Sequence, residues 1–118
     1  MVNHIAVKAI AKMAMKHKMR LIHISTDFVF DGKKNKPYLE TDKASAINVY
    51  GKGKLDGENA LISSMKSNAI IIRTSGVYSE FGNNFVKTII KLSQKNNYLN
   101  IISDQIGTPT YASDLANT

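Results

Sequence analysis

The sequence predicts an α/β fold built around a parallel sheet, on the strength of two short runs and the spacing around them. LIHIST at 21–26 and NAIIIRT at 68–74 are mostly apolar and close on hydroxyls, the pattern of strands covered on both faces. Around them lie stretches with apolar residues at helical spacing, so helices and strands alternate along the chain. In an open sheet of this kind ligands bind beyond the carboxyl ends of the strands, where those hydroxyls stand.

Each element follows from local pattern. Residues 2–18 carry Val2, Ala6, Ala9, Ile10 and Met13 at a 3.6-residue period, which predicts an amphipathic helix with that stripe as its core side. LIHIST is then the first strand, in which His23 reads as a packed histidine rather than a ligand. Asp27 to Ile47 is a long loop with turn chemistry at Asp31-Gly32 and a proline at position 37. Loops of about twenty residues are uncommon in compact domains unless they have a task.

A second helix is predicted from Val49 to Met65, followed by NAIIIRT as the second strand and a glycine-bearing loop, SGVYSEFGN. A third helix is expected from Asn83 to Gln94, with Phe85, Val86, Ile89, Ile90 and Leu92 on its core side. YLNIIS at 98–103 reads as a third strand, and a last helix starts near Ser113, after Pro109. No repeat or linker interrupts residues 1–118, so they read as one segment. Because the alternation opens on a helix and the final helix is short, the expectation is the central part of a larger α/β fold, incomplete at both ends.

Composition narrows the function classes. A hydrophobic content of 43% can build a core, and no window approaches the roughly 18 apolar residues of a membrane span. No membrane partner is expected. The absence of cysteine excludes disulfides, thiolate metal sites and a cysteine nucleophile, and is compatible with a cytoplasmic setting; no metal site is expected. A net charge of +7 calls for an anionic partner. Lys8, Lys12 and Lys16, and later Lys87, Lys91 and Lys95, recur at helical spacing and read as solvated helix faces, with no stacking strand or zinc-finger spacing beside them. A phosphorylated cofactor or a nucleotide-linked substrate is therefore expected, and nucleic acid is not.

VYGKGKLDGE, residues 49–58, sets Tyr50 one helical turn before Lys54. Such residues are neighbours on any helix, so a plain surface pair is one reading. The other is a proton donor with its tuning charge, since a nearby cation stabilises a phenolate and makes tyrosine a better acid. Ser25 and Thr26, at the carboxyl end of the first strand, and Asp27 just after them reach the same rim of the sheet. Thr26 there could hydrogen-bond a carbonyl oxygen that Tyr50 protonates, with Lys54 lowering the Tyr50 pKa and reaching a ribose. Local capping of the strand end is the alternative for Ser25 and Thr26.

The blocks STDFVFDG, NVYGKGKLDGE, IIRTSGVYSEFGNNFVKTI and DQIGTPTYASDLA, in that order, resemble the dTDP-4-dehydrorhamnose reductase family of the extended short-chain dehydrogenase/reductase superfamily. The resemblance covers nearly the whole chain. It implies a partial NAD(P)-binding Rossmann-like fold with helices on both faces of the sheet, NADPH or NADH as hydride source, a nucleotide-linked 4-keto sugar as substrate, and a homodimer as one state of the complete protein. Carried over by position, it implies Thr26, Tyr50 and Lys54 as the catalytic set, with Ser25 and Ser75 joining Tyr50 and Lys54 on the cofactor. On the substrate side it implies Asp27, Val29, Phe30, Asn84, Gln105, Pro109 and Thr110, with Arg73 at the start of the RTSGVYS loop. For Arg73, Ser75, Asn84, Gln105, Pro109 and Thr110, capping or loop packing is an equal alternative.

Three departures stand out. Gly76 occupies a position where the family often has tryptophan, Ala46 stands where it commonly has proline, and no glycine-rich strand-to-helix turn occurs in the chain. Gly51, Gly53 and Gly57 belong to the Tyr50–Lys54 helix and do not form a phosphate loop. The regulatory beta subunit of methionine adenosyltransferase resembles the same family, so a non-catalytic binding role is a second reading, and an inactive remnant a third.

Overall fold

The structure is a computed structural model that describes residues 2–118. A π-helical turn, Val2–Ala6, runs into α1, Val7–Lys16. β1, Leu21–Thr26, ends in a 3-10 turn at Asp27–Val29, and α2 spans Val49–Met65. A second 3-10 turn, Lys66–Asn68, leads into β2, Ala69–Thr74. Beyond it lie β3, Val77–Tyr78, α3, Phe85–Ser93, β4, Thr110–Tyr111, and α4, Ala112–Asn117. The chain divides into two compact units, residues 1–73 and 74–118.

In the first unit β1 and β2 are hydrogen-bonded neighbours joined by a crossover through α2, the βαβ arrangement expected from the alternation. Both helices cover one face of this sheet. Val7, Ala11 and Ala14 of α1 meet Leu61 and Met65 of α2 in the core, against which Leu21, Ala69 and Ile71 pack from the strands. Ile22, Ile24 and Ile70 are exposed on the alternate positions, the face that a second layer of helices would take.

The predicted stripe of the first helix is corrected. Ile10 and Met13 are 53% and 55% exposed, and the buried side is Val7, Ala11 and Ala14. Small residues face α2 because the two helical segments approach closely. A Cβ added to Gly57 would lie 2.3 Å from the Asn3 carbonyl oxygen, so only glycine fits there.

The second unit is lighter. β3 and β4 pair in parallel, Val77 opposite Thr110 and Tyr78 opposite Tyr111. α3 forms close to its predicted bounds, but Phe85, Val86, Ile90 and Leu92 are exposed rather than buried. The third predicted strand does not form: residues 98–103 are irregular, with Tyr98 91% exposed. A strand needs a neighbour to take up its ladder bonds and burial to offset the cost of ordering, and this segment has neither in its unit.

Candidate active site

The end of β1 and the start of α2 form one corner of the first unit. Asn48 caps α2, its Oδ1 accepting from the Gly51 amide at 2.6 Å, which fixes where the helix begins and so where Tyr50 stands. Gly51 then lies hard against the turn after Thr26: a Cβ there would sit 2.0 Å from the Phe28 carbonyl oxygen. The Tyr50 ring meets the Phe28 ring edge-on, with centroids 6.1 Å apart. Tyr50 is 51% exposed, open to a ligand and to solvent protons.

Lys54, one turn on, donates from Nζ to the Ile24 carbonyl at 2.6 Å, which ties its ammonium to the carboxyl end of β1. Partial burial lowers the Lys54 pKa, and the carboxylate of Glu58 works in the opposite direction. His23 is also held below its ordinary value, first by burial and then by the Lys54 charge, with the Glu58 carboxylate opposing them.

Ser25 and Thr26 are both buried. Thr26 performs the local capping that was the alternative for it: its Oγ1 accepts from the Phe28 amide at 3.2 Å and donates to Asp27 Oδ1 at 3.1 Å. A hydroxyl rotates freely, so Thr26 can turn this proton to a ligand acceptor once Asp27 is given up. Ser25 differs, because its buried Oγ has no hydrogen-bond partner.

Val29 and Phe30 are both buried. Val29 is 0% exposed, and the Phe30 ring stacks on Tyr38 at 4.2 Å with the Arg73 guanidinium 4.9 Å from its centroid. The 27–47 loop is tied to itself. Tyr38 donates to Asp31 Oδ1 at 2.8 Å, Lys34 pairs with Asp42, and the Ser45 amide reaches the Val29 carbonyl at 2.8 Å. The Tyr38 hydroxyl is the main reason Asp31 titrates below its ordinary value.

In the second unit Thr110 and Asn84 make local hydrogen bonds. Thr110 donates from Oγ1 to the Ser75 carbonyl at 2.8 Å, accepts from Thr74 Oγ1 at 2.8 Å, and its amide reaches Gly76 O at 3.3 Å. Pro109 lies beside Gly76, whose φ of +52° explains a glycine at that position. Gln105 is exposed. Asn84 caps α3, accepting from the Lys87 amide at 3.0 Å and donating to Ser79 O at 2.6 Å. Asn84→Ala is expected to cost about 1 kcal/mol and fray α3, read as a loss of helical signal and amide-exchange protection over 85–93.

Sequence reasoning missed Glu58 and its pairing with Arg73. Glu58 is 1% exposed, and its carboxylate accepts from Arg73 Nε at 3.0 and 3.3 Å and from Nη2 at 2.6 Å. The available signal was an acid one turn after Lys54 and an arginine at an inward position of a strand. Among the described residues no cluster has the makings of a metal site, and no helix is long and apolar enough to cross a membrane.

A Sinorhizobium fredii protein named dTDP-4-dehydrorhamnose reductase is 47% identical over 115 residues, which is 98% of this chain and 38% of that protein. A Clostridium acetobutylicum dTDP-4-dehydrorhamnose reductase structure superposes with a TM-score of 0.92 at 41% identity, over 98% of this chain and 40% of that one. The Bacillus anthracis dTDP-4-dehydrorhamnose reductase, solved in complex with NADP, gives 0.90 at 38% identity, over 96% and 40%. The chain thus spans about two fifths of the length of these relatives, and its α/β fold is the Rossmann-like one expected. The family model described as the RmlD substrate binding domain matches residues 1–118, and the chain belongs to that family.

Proposed function

We propose that this chain is the catalytic and substrate-facing segment of a reductase that uses NADPH or NADH to convert a nucleotide-linked 4-keto sugar, dTDP-4-dehydrorhamnose, into dTDP-L-rhamnose. The observation that supports it most is the docking of Gly51 against Phe28, which holds the Tyr50–Lys54 turn of α2 against the residues just after Thr26. Packing alone does not ask for a hydroxyl, a phenol and an ammonium at one strand end.

In this reading Thr26 turns its hydroxyl from Asp27 to the sugar carbonyl oxygen and orients it. Tyr50 gives that oxygen a proton as negative charge builds on it, and the Lys54 ammonium stabilises the phenolate left behind. Exposure of Tyr50 lets solvent restore the proton. The nicotinamide, when bound, supplies the hydride that reduces the carbonyl carbon. The residues present fit its riboside end: Ser25 Oγ is buried and unpartnered, and Lys54 has N–H donors beyond the one spent on Ile24. Asp27, Val29, Phe30, Asn84, Gln105, Pro109 and Thr110 are proposed on the substrate side, and Ser75 beside the cofactor.

A pyrophosphate cradle is a different matter. Among the described residues the α2 glycines at 51 and 57 are occupied by backbone contacts to Phe28 and Asn3, and none forms a strand-to-helix phosphate turn. The 118-residue chain by itself is therefore expected to bind NADPH weakly or not at all in a fluorescence titration. Tight, saturable binding would overturn that expectation.

The reading also takes the complete protein as cytoplasmic and able to form a homodimer. A regulatory role finds less support, since the relatives matched above carry reductase names. The direct test is turnover: a complete reductase containing this segment should oxidise NADPH only when the 4-keto sugar nucleotide is present. Substrate-independent or absent oxidation would reject it.

A further inference from the structure

The 27–47 loop leaves β1 at Asp27 and returns to the cap of α2 at Asn48, so both of its ends stand at the corner that carries Thr26 and Tyr50. Several of its ties are internal and exposed: Lys34 to Asp42, the Leu39 amide to Asp42 Oδ2 at 2.6 Å, and the Lys34 amide to the Tyr38 hydroxyl at 3.2 Å. Surface ties of this kind contribute little, whereas keeping about twenty residues in one form costs conformational entropy.

A run of buried contacts links the loop to the body of its unit. Glu58 of α2, 1% exposed, accepts from Arg73 Nε at 3.0 Å and from Nη2 at 2.6 Å. Two bonds to a planar fork fix the plane of the guanidinium as well as its place. That guanidinium lies over the Phe30 ring, 4.9 Å from its centroid, and the Tyr38 ring stacks on Phe30 at 4.2 Å and 12°. Tyr38 then donates to Asp31 Oδ1 at 2.8 Å. Helix, strand and loop are thereby joined through side chains. Stability is a weak reason for the ion pair, because apolar side chains of similar volume commonly do as well in a buried position. A flat cation presented to an aromatic ring is something that an apolar pair cannot supply.

We propose that Arg73, held in plane by Glu58, is a positioning residue: through Phe30 and Tyr38 it holds the 27–47 loop closed beside the end of β1, and the closed loop orders the substrate side of the site. The second clause rests on the reductase reading above; the first does not. Arg73 touches neither substrate nor cofactor in this account and acts through Phe30, which follows Asp27 and Val29 in the chain.

The test is amide hydrogen exchange, read by mass spectrometry on a complete protein containing this segment, with peptides from 31–45 compared with peptides from α2. Arg73→Lys keeps a cation for Glu58, so the buried carboxylate is not stranded, but it has no flat face to lay on Phe30. It is expected to speed exchange over 31–45 by about threefold or more and to leave α2 as in the wild type. Should Arg73→Lys fail to fold, the double change Glu58→Leu with Arg73→Leu carries the test, since it fills the site with an apolar pair. A merely structural ion pair would be satisfied by that pair, whereas the proposal expects the loop to loosen there too. In steady-state kinetics the folded variants are expected to raise the KM for the sugar nucleotide about threefold or more, with kcat and the KM for NADPH little changed. Unchanged loop exchange, or exchange that rises equally in α2 and the loop, overturns the role of Arg73. A loosened loop with an unchanged sugar-nucleotide KM overturns the link to substrate. A wild-type protein without turnover counts against the reductase reading alone, because the exchange result still decides whether Arg73 holds the loop.

Discussion

Tyr50→Phe, made in a complete reductase carrying this segment, is expected to lower kcat by a factor on the order of 100 or more while leaving NADPH affinity nearly intact. The substitution removes one hydroxyl from a side chain that is 51% exposed, so no buried partner is stranded and no cavity opens. The ring contact with Phe28 survives, and with it the packing at the start of α2. What is lost is the proton donor for the carbonyl oxygen, and an unassisted oxyanion must then wait for water. Stopped-flow single turnovers, with NADPH binding measured separately by fluorescence, separate the two quantities. A kcat within a few-fold of wild type would remove Tyr50 from the chemistry.

Gly51→Ala is expected to be the most damaging single methyl in the first unit. The added carbon would stand 2.0 Å from the Phe28 carbonyl oxygen and 2.8 Å from its carbon, with the Ala46 side chain at 3.2 Å. Neither backbone can yield without moving the cap at Asn48 or the turn at Asp27–Val29, so the cost should reach about 3 kcal/mol or more. Gly57→Ala meets the Asn3 carbonyl oxygen at 2.3 Å and should behave alike. Gly53 is the control: its nearest neighbour would be the Asn3 Cβ at 3.7 Å, an ordinary contact. Alanine there relieves a helix-interior glycine and should be neutral or stabilising by up to about 1 kcal/mol. Urea unfolding of the three variants side by side checks the order. Equal effects at 51 and 53 would mean that α2 does not dock on the Phe28 turn as described.

Those glycines also show how far the sequence could be read. As a cluster they invited comparison with a phosphate loop, which their position on a helix without a preceding strand argued against. Their use, letting α2 touch two other backbones, depends on residues far away in the chain and leaves no local mark. The strands at 21–26 and 69–74 were legible because a short run rich in isoleucine ending in hydroxyls has few other uses. The stripe of α1 was misjudged because hydropathy ranks Ile10 and Met13 above Ala11 and Ala14, whereas close helix packing selects for small size. Residues 98–103 have strand-like composition, but a strand is a property of a pair, and no partner was visible in one dimension.

The candidate site divides in the same way. Tyr50 and Lys54 were legible from spacing, and the β1 end from its hydroxyls. That Thr26 is tied to Asp27, that Ser25 Oγ is left without a partner, and that Glu58 and Arg73 lock behind Lys54 are long-range or rotamer-level facts. They emerge only when β1, α2 and β2 are packed together.

The central claim is that these residues reduce a nucleotide-linked 4-keto sugar. The most direct measurement follows NADPH absorbance on adding dTDP-4-dehydrorhamnose to a complete protein containing this segment, with the sugar product identified by mass and NMR. Substrate-dependent NADPH loss, matched mole for mole by dTDP-L-rhamnose, is the predicted result. A protein that binds NADPH and the sugar nucleotide yet leaves both unchanged would contradict it.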